Sequence, residues 1–127
     1  MFSTSVDVNK NRLYITIGFL QSHEEIHALL AEVEAVLPRL SPGFSCVTDL
    51  REYRRLGDSG EELIFQVQKC LKDAGISRAV RVERRQALPE HIQFETGSLE
   101  IGYPAHLVRT REEADNFLDH LGSAAQR

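Results

Sequence analysis

The stretch Phe44-Ser45-Cys46-Val47-Thr48-Asp49-Leu50, followed by a loop that ends Gly57-Asp58-Ser59-Gly60, decides the fold. The first seven residues are apolar and β-prone, which predicts a buried strand. Ser59, with Glu62 three residues on, has the pattern of a capping box and predicts the start of a helix. That helix carries Leu63, Ile64, Val67, Cys70, Leu71 and Ala74 on one stripe, at spacings of three and four. Gly75 is the expected C-terminal stop, and Ile76 to Val82 is the next β-prone run. A strand, a helix and a strand in this order require a crossover, so the two strands lie parallel with the helix packed on the sheet.

The same grammar extends in both directions. Ser22 and Glu25 form a second capping box, ahead of a stripe of Ile26, Leu29, Leu30, Val33, Val36 and Leu37. Pro38 and the turn Ser41-Pro42-Gly43 end that helix. Before it, Val6-Asp7-Val8 and Leu13-Tyr14-Ile15-Thr16-Ile17 flank Asn9-Lys10-Asn11-Arg12, and β-branched runs around an Asn-rich turn predict a hairpin. Toward the C-terminus, residues 84–102 carry weaker signals: a short helix over Gln86 to Gln93, and turns at Gly97 and Gly102. Tyr103 to Val108 reads as a strand, with Pro104 near its start, where a missing N–H is tolerated. Thr110 and Glu113 make a third box, and the last helix runs through Ala114, Phe117, Leu118 and Leu121 to an end at Gly122. Residues 123–127 are expected to fray.

The elements add up to one α/β domain with its core in residues 6–121: a mixed five-stranded sheet with an N-terminal hairpin, and three to four helices packed on it. A chain of 127 residues suits a single core. Fifteen basic against nineteen acidic residues give a formal charge of −4, which argues against sequence-independent binding to nucleic acid. No apolar run approaches the ~20 residues that span a bilayer. The start, Met1 to Asp7, lacks the basic and apolar regions of a secretory signal, so the cytoplasm is the expected location. Cys46 and Cys70 form no C-x-x-C pair and read as small core hydrophobes. No Gly-rich phosphate loop, Cys/His pair or nucleophile elbow is present, and neither catalytic residues nor a cofactor are expected.

The strand end Asp49-Leu50, with Ser59-Gly60 about ten residues on at the start of a helix, resembles the STAS domain of anti-sigma-factor antagonists and sulfate transporters. In that family an Asp-Ser-Ser-Gly or Asp-Ser-Thr-Gly turn opens the helix, and a partner kinase phosphorylates the second hydroxyl residue, which Ser59 matches. Gly57 stands where the family has its Asp, and Asp58 replaces its first Ser. Arg54 and Arg55 occupy positions that the antagonists usually fill with apolar residues. The order of elements, the Asp49-Leu50-Arg51 strand end, and the ending Tyr103-Pro104-Ala105 through Phe117-Leu118 are closer to the STAS-like, Sec14-related branch of small bacterial proteins. The resemblance implies a non-enzymatic regulatory module with a protein partner, either a kinase or an anti-sigma-like regulator. Its contact surface would comprise Asp49, Asp58, Ser59 and Gly60. The Sec14-related branch implies the alternative, an anionic or lipid-like small ligand held by Arg51, Arg54 or Arg55.

Three further readings come from the residues themselves. Ser59 at a helix start is also simply a cap, as Ser22 and Thr110 are; a phosphate there would meet unpaired N–H groups and the positive end of the helix dipole. His23-Glu24-Glu25-Ile26-His27 fits H-E-x-x-H, in which two imidazoles one turn apart hold zinc and the Glu activates water. Here the motif falls in a first turn, Glu25 is already explained by capping, and Leu30 and Val33 stand where the longer metzincin signature needs Gly and His, so His23 and His27 are only remote metal ligands. Arg78, Arg81, Arg84 and Arg85 read as a solvated strand edge, interrupted by Glu83 and Glu90. Exposed strand edges and mixed-charge helices permit a homodimer.

Overall fold

The computed structural model describes residues 1–18, 22–53, 58–83 and 105–125, with backbone alone for residue 23, residues 58–64 and residues 121–125. Strands β1 (Phe2–Asp7) and β2 (Arg12–Ile17) form the expected hairpin, followed by α1 (His23–Val36), β3 (Ser45–Asp49), α2 (Asp58–Asp73), β4 (Arg78–Val82), β5 (Ala105–Val108) and α3 (Arg111–Ala125). The sheet order is β1-β2-β3-β4-β5, with β1 antiparallel to β2 and every later pair parallel. This is the predicted mixed five-stranded sheet, with three helices among the described residues; the short helix expected over Gln86 to Gln93 lies outside them.

Period-two alternation divides the sheet into two apolar faces. Leu13, Ile15, Ile17 and Cys46 point to one side, where Ile26, Leu29 and Val33 of α1 and Val67 and Leu71 of α2 cover them. Val47, Val80, Val82 and Val108 point to the other and pack on Ala114 and Leu118 of α3. The central strands are therefore buried on both sides, which is why Phe44 to Leu50 shows no polar face in the sequence.

Local chemistry explains the boundaries. The Ser22 hydroxyl accepts the Glu25 N–H at 3.3 Å and the Thr110 hydroxyl accepts the Glu113 N–H at 3.1 Å, as their capping boxes predict. The Glu113 carboxylate in turn accepts the Arg109 N–H at 3.2 Å. At the end of α2, Gly75 sits at φ 98°, its N–H bonded to Lys72 O and that of Ile76 to Leu71 O, which together make a Schellman motif. A Cβ at Gly75 would also come within 3.1 Å of Pro42 Cβ, so conformation and close approach both require glycine there. Asn11, at φ 51°, closes the hairpin, and its side chain exchanges hydrogen bonds with the backbone of Ser41.

Several expectations are corrected. β1 begins at Phe2, not Val6, and Val8 lies exposed in the turn. Arg12 belongs to β2 and is buried. α1 ends at Val36, and the chain continues as a 3-10 turn over Leu37–Arg39 because Pro38 removes a donor. α3 runs through Gly122 to Ala125, so residues 123–125 are helical; glycine inside a helix costs only ~1 kcal/mol, and Ala124 and Ala125 favour continuation. β4 is an internal strand, paired on both sides, so its arginines are not an edge: Arg78 is exposed, while Arg81 is buried.

Candidate functional site

The parallel strands β2 to β5 end together at Ile17, Asp49, Val82 and Val108, and the three helices begin just beyond, at His23, Asp58 and Arg111. One edge of the molecule thus collects three helix N-termini, each the positive end of a helix dipole. In open parallel sheets this edge is where ligands and partners bind.

Asp49 is the last residue of β3 and is buried. Its Oδ1 accepts the backbone N–H of Arg51 at 3.1 Å and Nε at 3.0 Å, while Oδ2 accepts Nη2 at 2.7 Å. The first bond is an Asx turn and the other two a fork on a carboxylate, so a single aspartate bends the chain and holds the arginine that follows. Burial works to raise the Asp49 carboxyl, but the hydrogen bonds and charge of Arg51, helped by Arg111, outweigh it and leave the group below the usual carboxylate range. The loop then folds back: Tyr53 N–H bonds to Leu50 O at 3.1 Å and the Tyr53 ring is buried in the core. Arg111, the first residue of α3, stands on the same edge with its guanidinium carbon 5.0 Å from the centre of the Tyr14 ring.

No protein-family model matches the sequence, and no curated protein matches it. Solved structures do. An uncharacterized DUF3478-family protein with a SpoIIAA-like fold from Shewanella loihica PV-4 superposes with TM-score 0.70 over 92% of this chain and 93% of its own, at 12% identity. The anti-sigma factor antagonist SpoIIAA in its unphosphorylated form matches with TM-score 0.64 over 94% and 98%, at 14% identity. An anti-sigma factor antagonist from Mycobacterium paratuberculosis matches with TM-score 0.57 over 94% and 95%, at 23% identity. The fold is SpoIIAA-like. At these identities the likeness is one of architecture, and it agrees with the STAS-like fold implied by the Asp49-Leu50 and Ser59-Gly60 pattern.

Within this SpoIIAA-like frame, Asp49, Arg51 and the start of α2 fall on one edge, as the sequence pattern places them. α2 begins at Asp58, so Ser59 is the second residue of the helix and Gly60 the third; Ser59 is not the residue that precedes the helix, as a capping box would have it. The side chains of Asp58 and Ser59, and Arg54 and Arg55 altogether, lie outside the described residues. Asp49 takes up the Nε–Nη2 side of the Arg51 guanidinium. His27 is exposed on α1, and His23 is the first residue of that helix, with its side chain outside the described residues. No cluster of three or more metal-ligating side chains occurs among the described residues, and no helix there is long and apolar enough to cross a membrane.

Sequence reasoning missed Arg111 and Tyr53. A basic residue at the first position of a helix opposes the dipole, and that anomaly was the available signal for Arg111. A lone tyrosine between Glu52 and Arg54 carries no periodicity, so nothing local marked Tyr53 as core. Cys46 fills the core as expected, and burial pushes its thiol up to about 12, whereas Cys70 is half-buried outside the core cluster, its thiol 3.9 Å from Glu34, and burial and that carboxylate raise it. Cys46 lines a narrow cavity with Ile15, Thr48, Gln68, Leu71 and Arg81, on the sheet face opposite α3.

Proposed function

We propose that this chain is a non-enzymatic, STAS-like regulatory module that works by protein–protein contact at the carboxyl-terminal edge of its parallel strands. The observation that supports this most is the convergence of three helix N-termini on one edge, beside a loop that Asp49 and Arg51 hold in shape. The likeness to two anti-sigma factor antagonists supports the same class of partner, an anti-sigma-like regulator or its kinase.

Ser59 is the switch in this proposal. In the first turn of α2, a phosphate on it meets unpaired amide N–H groups and the positive dipole end, and Arg51 and Arg111 add positive charge on the same edge. Its near-double negative charge and three acceptor oxygens alter the surface a partner reads. Unmodified Ser59 thus permits binding, and the phosphate blocks it. The chemistry needs no cofactor and no catalytic residue from this chain.

The test is incubation of the full chain with serine kinases of the anti-sigma class, followed by phosphopeptide mapping and binding assays with their regulators. A single phosphate on Ser59, absent from a Ser59→Ala variant, is expected, together with partner binding that Ser59→Asp weakens about tenfold or more. Labelling elsewhere, or equal binding by Ser59→Asp and the unmodified chain, would overturn the reading.

A further inference from the structure

The outer edge of β1 has the hydrogen-bonding and side-chain pattern of a self-complementary strand. Gly18 N–H donates to Met1 O at 2.7 Å, immediately beyond the Phe2↔Ile17 pair. In an antiparallel ladder the hydrogen-bonded pairs alternate, so the odd-numbered residues of β1 bond to β2. Phe2, Thr4 and Val6 therefore direct their N–H and C=O groups away from the sheet. Among the described residues no strand pairs with that edge.

The edge also lacks the usual guards. Phe2–Asp7 is six residues long, with no proline, no lysine and no bulge, and it pairs in unbroken register with β2. The opposite edge, β5, is four residues long. Side chains on β1 are sorted by face: Phe2 and Val6 pack against the α1 side of the core and the Thr4 hydroxyl bonds to Glu32 of α1, while Ser3 and Ser5 are exposed on the other face.

We propose that this edge docks a second copy of the same chain, β1 against β1 in antiparallel register across a two-fold axis at Thr4. Two strands can continue one sheet this way only if paired residues share a face, which requires their numbers to sum to an even value. Centring on Thr4 satisfies that requirement and brings the outward-facing residues into register. Phe2 pairs with Val6 of the second copy, Thr4 with Thr4, and Val6 with Phe2, each exchanging both backbone bonds. Apolar side chains then meet on the α1 face, and Ser3 meets Ser5 on the other. The interface is isologous and closes on itself, so it yields a dimer with a continuous sheet and no fibre. Docking another protein's strand would use the same backbone groups; a second copy brings a strand that matches this one on both faces.

Sedimentation equilibrium of the full chain tests the proposal. A dimer is expected to form with rising concentration up to roughly 100 µM. Ser3→Lys combined with Ser5→Lys sets like charges opposite one another on the exposed face and should raise the dissociation constant about tenfold or more. Mixing that variant with one carrying Ser3→Glu and Ser5→Glu should restore a dimer of one copy of each. Thr4→Pro removes the N–H at the axis while leaving the β1–β2 ladder intact, so it should lose the dimer and keep the circular dichroism of a folded chain. A chain that stays monomeric throughout, or a dimer indifferent to the lysine pair, overturns the proposal.

Discussion

Two arginine–aspartate clusters lie at opposite ends of the sheet, and they work in different ways. At the carboxyl-terminal edge Asp49 is buried, and it grips an arginine two residues away that remains partly exposed. At the other end the arginine is the buried partner: Arg12, with its side chain 5% exposed, reaches Asp115 at 3.0 Å and Asp119 at 2.9 Å, both on α3. Tyr14 adds its hydroxyl to Asp115 at 2.7 Å. The first cluster shapes a loop and spans almost no chain; the second fastens the last helix to the second strand. A local pair loses little entropy on forming and can be part of a recognition surface, whereas a distant pair orders nothing until the fold has closed.

The largest expected effect comes from stranding the buried cation. Asp115→Ala together with Asp119→Ala leaves Arg12 without its carboxylates, and urea unfolding should show a loss of about 2–3 kcal/mol. The value sits below that of a fully buried pair because the arginine stem lets the charge turn toward solvent. A loss well under 1 kcal/mol would mean that packing alone, without these ion pairs, holds α3 to the sheet.

Asp49→Asn should cost less, about 1–2 kcal/mol at neutral pH, because the amide keeps an acceptor for the Arg51 N–H but loses the charge that holds the guanidinium. The pH dependence sharpens the contrast. Asp49 titrates below its ordinary value of 3.8, so it contributes stability above that value and loses it as pH falls through the lower, folded-state value. Unfolding midpoints of the two proteins should therefore converge below about pH 4. A constant gap from neutral to acid would show that the charge of Asp49 is not what the substitution costs.

The smallest effect belongs to the outer rim of the second cluster. Lys10 lies 3.4 Å from Asp119 with both side chains substantially exposed, so Lys10→Ala should change stability by at most about 0.5 kcal/mol. A larger change would mean that Lys10 holds Asp119 in place for Arg12, and a double-mutant cycle with Arg12→Ala would reveal that coupling.

Reading these clusters from sequence succeeded where the information was local. The Ser22 and Thr110 caps, the Gly75 stop and the Asp49-Leu50 strand end are short-range patterns in which side chain and backbone meet within four residues. A cap at Ser59 would start α2 at Gly60, two residues beyond its actual start at Asp58, because a serine suits both the cap and the first turn. Gly122 has the residue type of a stop, but a glycine terminates a helix only when its backbone turns left-handed, and α3 runs on to Ala125.

Arg12 shows the limit most clearly. In sequence it closes an Asn-rich turn and looks solvated; in the fold it is buried, because Asp115 and Asp119 arrive on one face of α3 from more than a hundred residues away. Arg81 likewise reads as one of a run of surface arginines, and only the pairing of β4 between β3 and β5 places it inside.

What the sequence by itself determined is the alternation of strands and helices, and with it the SpoIIAA-like sheet, because apolar period and capping chemistry act between near neighbours. The tertiary structure alone decided which charges are buried, and that Arg111 joins Asp49 and Arg51 at one end of the molecule. Those outcomes depend on how distant segments share a face, and no local pattern carries that information.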